Sequence, residues 1–430
     1  MSEDFKTDIS TAKGILAVSP VVVFLLVYLA TSLVIGDFYK MPLSVALLIA
    51  SVWAAFTMRG TPLSQRIETF SKGAGQSNVM YMIWIFILAG AFAAIAKKTG
   101  AVDATVDVTL RFLPSFLVVP GLFVATCFIS MAIGTSVGTV VAITPLAVDM
   151  AGAAGAPVPF YVAIVLGGAF FGDNLSFISD TTIAATRTQG CDMRHKFLAN
   201  IKIVVPAALI ALVLYCCVAP EIEHITIDSN APGWLVLPYL VVILLALLGI
   251  NVTVVLLIGI LCALGAGLLQ GFSLMDVLFE AGQGIESVGS LIVVTLLAAG
   301  MLGMIKATGG IDYILKVVGR KTASQRGAQL SIVLLVGIVN LCTANNTVAI
   351  ITVGSLAKKI ATHFHVTPKK AASLLDTGSC IVQALIPYGA QTLMATSLAD
   401  ISPVAPWPWL FYPQILIACL AVSILITRKS

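Results

Sequence analysis

Long apolar runs alternate with short polar stretches along nearly the whole chain. Ten of these runs read as full crossings: residues 14–35, 42–58, 78–96, 160–187 and 199–218, then 234–250, 252–270, 288–306, 370–397 and 408–427. A helix rises about 1.5 Å per residue, so roughly 20 apolar residues span a bilayer core. The short alternating strands of a membrane barrel are not seen. Two further apolar stretches are split by small polar centres, 119–150 around GTSVGT and 329–360 around TANNT.

Charge decides how to read those two. If each is a re-entrant hairpin, the N-terminus, residues 59–77, 187–202, 306–328, 358–370 and the C-terminus share one side. That side then holds 20 of the 24 Lys and Arg, leaving only Lys40, Lys97, Lys98 and Arg111 opposite. The acidic loop with Glu221, Glu223 and Asp228 also falls opposite. The basic side is the cytoplasmic one. Full crossings would instead send the basic 358–370 loop outside, so the hairpin reading is preferred. It puts the protein in the cytoplasmic (inner) membrane with both termini in the cytoplasm.

The two halves match. At an offset of 209, Phe70, Gly73, Gly75, Lys97, Thr99, Gly100, Asp103 and Pro159 meet Phe279, Gly282, Gly284, Lys306, Thr308, Gly309, Asp312 and Pro368. At 208, Thr139, Ile143 and Thr144 meet Thr347, Ile351 and Thr352. Apolar composition alone rarely yields Gly, Lys, Asp and Pro in the same order. Each half has an odd number of crossings, so the second is inverted relative to the first. The expected fold is an all-α polytopic membrane protein with an inverted structural repeat. It has about ten transmembrane helices, two re-entrant hairpins and broken helices. Residues 1–218 form the first repeat, with hairpin 119–150 and broken helix 160–187. Residues 219–430 form the second, with hairpin 329–360 and broken helix 370–397.

Composition agrees: 59% of the 430 residues are hydrophobic, 10% are charged, and the mean hydropathy is +1.04. A soluble chain of this length carries far more charge. The net charge of +4 reflects topology, not a nucleic-acid partner. Of eight cysteines only Cys191 sits in a polar loop, and neither they nor the four histidines have metal or disulfide spacing. No cofactor is expected. The sequence leaves monomer and homodimer both open.

The chemistry lies in polar residues inside the apolar runs. Residues 172–182 read GDNLSFISDTT. Gly172 loosens the helix, and an unwound turn would offer carbonyls and the side chains of Asp173, Asn174, Ser176, Ser179, Asp180, Thr181 and Thr182. All-oxygen shells suit hard cations, here Na+ at Asp173 and Asp180. Protons compete for the same carboxylates, which is the minimum that couples two ions. Intramembrane ionisable residues are costly and are functional by default. The corresponding break in the second half, LLDTGSCIVQALIPYGAQ, offers Asp376, Thr377, Gln383 and Gln391. A structural alternative for Asp376 is an ion pair with Lys369 or Lys370. The hairpin tips supply Thr135, Ser136 and Thr139, and Asn345, Asn346 and Thr347, where half-helix ends would point at a substrate.

The segment GGAFFGDNLSFISDTTIAAT, with TANNTVAI and IPYGAQ, resembles the NhaC family of sodium/proton antiporters. Phe177 stands where that pattern usually has proline. The resemblance implies a cytoplasmic-membrane carrier in which Asp173, Ser176, Asp180, Thr181 and Thr182 match motif positions.

The leading expectation is exchange of Na+ (or Li+) for H+ by alternating access. The alternative is a Na+- or H+-coupled carrier of a small amino acid or organic acid. An aspartyl intramembrane protease is disfavoured, because position 170 is Phe and Gly-x-Gly-Asp is missing. Nothing resembles the repeated selectivity filter of a channel.

Overall fold

The computed structural model describes residues 10–35, 41–102, 104–105, 108, 115–176, 179–219, 232–248, 250–319 and 324–426. All regular structure among them is helical. Phe177 and the acidic loop with Glu221, Glu223 and Asp228 lie outside the described residues.

The first half runs α1 (Thr11–Ile35), α2 (Leu43–Thr57), α3 (Leu63–Ala74), α4 (Ser77–Lys98), α5 (Ser115–Ile133), α6 (Ser136–Ala153), α7 (Val158–Leu175), α8 (Asp180–Gln189) and α9 (Met193–Val218). The second runs α10 (Leu237–Leu247), α11 (Val252–Leu269), α12 (Leu274–Ser287), α13 (Gly289–Ala307), α14 (Gly310–Gly319), α15 (Gln325–Thr343), α16 (Asn346–His363), α17 (Pro368–Leu385), α18 (Ala390–Leu398) and α19 (Phe411–Leu425). Among the described residues, seven spans are long and apolar enough to cross a membrane, and five shorter apolar helices accompany them. Phe56, Phe128, Leu209, Val213 and Leu261 stand exposed on the outer surface. Such a belt suits lipid, not water. The protein is a multi-pass membrane protein.

Both split apolar stretches are helix–turn–helix units. Gly134 (φ 72°) and Ala344 (φ 47°) occupy the left-handed region at the two turns. Extended Thr135 and Asn345 then start α6 and α16. The Asn345 side chain accepts from the Val348 N–H and caps α16. Both broken helices are interrupted near the middle. α7 ends at Leu175 and α8 begins at Asp180, capped by Ser179; α17 ends at Leu385 and α18 begins at Ala390.

The spacing between the halves differs from the sequence expectation. Thr99 and Thr308, 209 apart, follow α4 and α13. From α5 onward the starts 115/325, 136/346, 158/368 and 180/390 are all 210 apart. One residue is gained in between. The Ser130 hydroxyl donates to the Ala169 carbonyl, and at 210 residues further on the Asn340 amide donates to that of Ser379. Asp173 therefore corresponds to Gln383, Ser136 to Asn346 and Thr181 to Gln391. Asp376 corresponds to Leu166, inside an unbroken helix. The matches of Pro159 with Pro368 and of Thr139 with Thr347 are out of helical register.

Between the expected crossings, 59–77 and 271–287 contain α3 and α12. These helices are too polar to read as spans, and each packs on the other half: α3 on α13, α12 on α4. Glycines permit the approach. A Cβ on Gly90 would lie 2.3 Å from the Gly284 carbonyl oxygen, and one on Gly303 would lie 2.8 Å from Gly73 Cα. Small residues let helix backbones meet closely where no hydrophobic force separates helix from lipid. The hairpins cross over in the same way. α6 packs on α18 and α16 on α8, so each hairpin touches the broken helix of the opposite half.

Candidate functional site

A helix that stops inside the bundle leaves its last carbonyls without partners. The polar residues of 172–182 supply them at α7. The Gly172 carbonyl accepts from the Ser176 N–H at 2.7 Å. The Asp173 carbonyl accepts from the Ser179 hydroxyl at 2.9 Å and from Thr181 at 3.3 Å. The Asn174 carbonyl accepts from Lys196 and Asn200, each at 2.8 Å. The Ser176 carbonyl accepts from the Thr182 hydroxyl at 2.9 Å. Most of the segment's oxygen chemistry is thus spent on the break itself.

Asp173 is the exception. Its side chain is buried, yet it lines a cavity of about 100 Å³ where both hairpin turns and both helix breaks converge. The Ser136 N–H donates to Oδ1 at 3.0 Å and the Ser136 hydroxyl to Oδ2 at 2.5 Å. The Asn346 amide lies 3.5 Å from Oδ2. The carboxylate thus sits at the N-terminus of α6, where the helix dipole favours negative charge. A chain of donors leads to it from the second half. Gln383 donates to Gln391 at 2.9 Å, Gln391 donates to the Ser136 hydroxyl at 2.9 Å, and Ser136 donates to Asp173. Gln383 also donates to the Ala344 carbonyl at the second hairpin turn.

Thr135, Ser136, Asp173, Asp180, Thr181, Asn345, Asn346, Thr347 and Gln383 all line this cavity, with Gln391 and Tyr81. Asp180 is exposed to it at the start of α8. Among the described residues that line it there is no Lys, Arg or His, so two carboxylates face a small space with no basic partner among them.

Other expected residues lie elsewhere. Asn174, Ser176, Ser179 and Thr182 stand behind the cavity at the break, and Thr139 bonds back to the Thr135 carbonyl. Asp376 and Thr377 are buried in α17 away from the lining. The partners named in the structural alternative, Lys369 and Lys370, are not those that pair with Asp376. Lys196 of α9 pairs with it, at 2.6 Å. Lys196 is 1% exposed and went unnoticed in sequence, where MRHK reads as one more basic loop. The usable signal was phase: Lys196 and Asn200 are one turn apart on the buried face of α9, whereas Arg194, His195 and Lys202 are exposed.

This cavity can take a small cation among carboxylate, hydroxyl, amide and carbonyl oxygens. Comparison with known proteins places the chain. The model of the Na+/H+ antiporter family matches residues 7–219 and 226–427. The chain belongs to the Na+/H+ antiporter family. A malate-2H+/Na+-lactate antiporter of Bacillus subtilis is 22% identical, covering 93% of each chain. The Na+/H+ antiporter NhaC of the same organism is 24% identical over 86% of this chain and 88% of its own. A solved structure, the YdaH transporter of Alcanivorax borkumensis, overlays with a TM-score of 0.42 at 15% identity, covering 84% of this chain and 86% of that one.

Proposed function

We propose that this antiporter exchanges Na+ (or Li+) for H+ across the cytoplasmic membrane, with Asp173 as the carboxylate for which the two ions compete. The observation that carries this reading is the cavity wall. It presents Asp173 and Asp180, neutral polar groups and, among the described residues, no basic residue. A cation neutralises such a wall, and an anion is repelled by it. The halves act as inverted repeats, with both termini cytoplasmic.

The α18 half-helix is the moving part in this reading. Ala390 and Gln391 at its start line the central cavity. Leu393, Thr396 and Ser397 further along it line a second cavity, about 400 Å³, with Tyr28, Ser287 and Asp400. Charge bias assigns that second cavity to the outer side. A shift of α18 would join the two spaces, which is one step of alternating access about a fixed site.

The test is an imposed pH gradient across proteoliposomes, read with a fluorescent pH probe. Addition of Na+ or Li+ collapses the gradient with the parent protein. Asp173→Asn and Asp180→Asn leave it standing, while both variants elute as the parent does on size exclusion. Full activity in both variants would sink the assignment.

A second reading, a coupled carrier of a small organic acid, draws support from the first helical turns of α6 and α16 beside the cavity and from the malate and lactate relative. Gradient collapse that needs an added dicarboxylate or lactate, with no response to cations alone, would select it.

A further inference from the structure

The central cavity does not use Lys196. Its stem enters the bundle from the start of α9, and the ammonium has three donors to place. They go to Asp376 Oδ2 at 2.6 Å, the Thr182 hydroxyl at 2.6 Å and the Asn174 carbonyl at 2.8 Å. Asn200 donates to two of the same oxygens, Asp376 Oδ2 and the Asn174 carbonyl, at 2.8 Å each.

This donor set is unusual for a structural ion pair. It combines a carboxylate, a hydroxyl and a carbonyl released by a helix end, which is the shell that hard cations take. The carbonyl belongs to the C-terminus of α7, whose dipole also favours positive charge. Two of the residues at this locus, Asn174 and Asn200, also keep their side-chain oxygens buried without a hydrogen-bond donor. The shell also joins the halves, since Asn174 and Thr182 flank the first break and Asp376 comes from α17.

We propose that this locus is a second alkali-cation site that the chain fills with its own side chain, the Lys196 ammonium. The lysine is a tethered cation. It keeps Asp376 out of the exchange and thereby fixes how many Na+ ions each chain binds. The Lys196 and Asp376 charges cancel in every state, so the charge moved per cycle is set by the central cavity alone.

The experiment counts Na+. Equilibrium binding of radioactive sodium is measured on the purified full-length protein in detergent, for the parent, Lys196→Met, Asp376→Asn and the double variant. Lys196→Met is expected to bind one more Na+ per chain than the parent. The double variant is expected to fall back to the parent count, and Asp376→Asn alone to leave that count unchanged. A folded Lys196→Met with the parent count overturns the proposal, because Asp376 then takes a proton in place of a cation.

If Lys196→Met is too unstable to purify, its melting is followed in membranes in NaCl against choline chloride. Protection by sodium that is absent from the double variant supports the site, and equal melting in both salts overturns it. A parent that binds no Na+ beside a Lys196→Met that binds one would keep this proposal and remove the assignment of Na+ to Asp173.

Discussion

Ser136 grips Asp173 with two donors, its backbone N–H on one carboxylate oxygen and its hydroxyl on the other. The hydroxyl is also the acceptor for Gln391, so Gln391 reaches the carboxylate through it. A hydrogen bond to a charged group contributes about 1.5–3 kcal/mol and a neutral one about 1 kcal/mol. Ser136→Ala is therefore expected to lower Na+-driven gradient collapse by about tenfold or more, and Gln391→Leu by about fivefold. The double variant should be no worse than Ser136→Ala alone, because Gln391 acts through the missing oxygen. Rates in proteoliposomes, corrected for reconstituted protein, check all three. Additive losses would break the chain of donors apart.

Gly172 sits where the first broken helix meets its hairpin. A Cβ there would lie 2.1 Å from the Ser130 hydroxyl oxygen and 2.5 Å from the Ser130 carbonyl carbon, and the latter cannot swing away. Overpacking of this kind costs about 1–3 kcal/mol. Gly172→Ala is expected to lower the melting temperature in detergent and to reduce exchange by separating α5 from α7. Gly152→Ala, with nothing within 4 Å of the added atom, is the control and should melt at or slightly above the parent.

The second hairpin turn carries a correctable strain. Ala344 holds φ 47°, where its counterpart Gly134 holds φ 72°. A left-handed L-residue costs about 1–2 kcal/mol, and glycine gives back roughly 0.5–1 kcal/mol through the unfolded chain. Ala344→Gly should raise thermal stability by roughly 0.5–1 kcal/mol, read as a higher melting temperature in detergent. A lower melting temperature would mean that the methyl group packs against more than the turn requires.

Topology is open to chemical test at Cys191, in the turn between α8 and α9. In a variant retaining only this cysteine, a membrane-impermeant maleimide should label inside-out vesicles and spare right-side-out ones. Burial, followed by the neighbouring Asp192 carboxylate, pushes the thiol above its ordinary range. Labelling should therefore quicken as the pH rises, since the thiolate is the reactive form. Labelling of right-side-out vesicles alone would invert the assigned orientation.

The helical breaks and the turns that split the two apolar stretches were legible because each places polar residues where lipid or packed apolar groups would otherwise be. GDNLSFISDTT and TANNT could not be inert spans at that cost. What the string concealed was phase and register. Lys196 looks like its basic neighbours Arg194 and Lys202, and only its position on the buried face of α9 sets it apart. Asp376 drew notice as the conspicuous acid of the second half. One residue gained before α15 hid that Gln383 stands in the place of Asp173, an amide where the other half has a carboxylate. The contacts of α3 and α12 were equally hidden, because these moderately polar helices bury only narrow strips, Gly73 with Ala74 and Val277 with Gly284.

The crossed hairpins bear on how the molecule is made. Asp173 and Ser136 enter the membrane before Gln391 and the α18 wall are made. Until then the carboxylate has its own hairpin but not the opposite side of its chamber. A nascent chain stalled before α18 cannot hold the closed cavity, because Ala390 and Gln391 of its wall are missing.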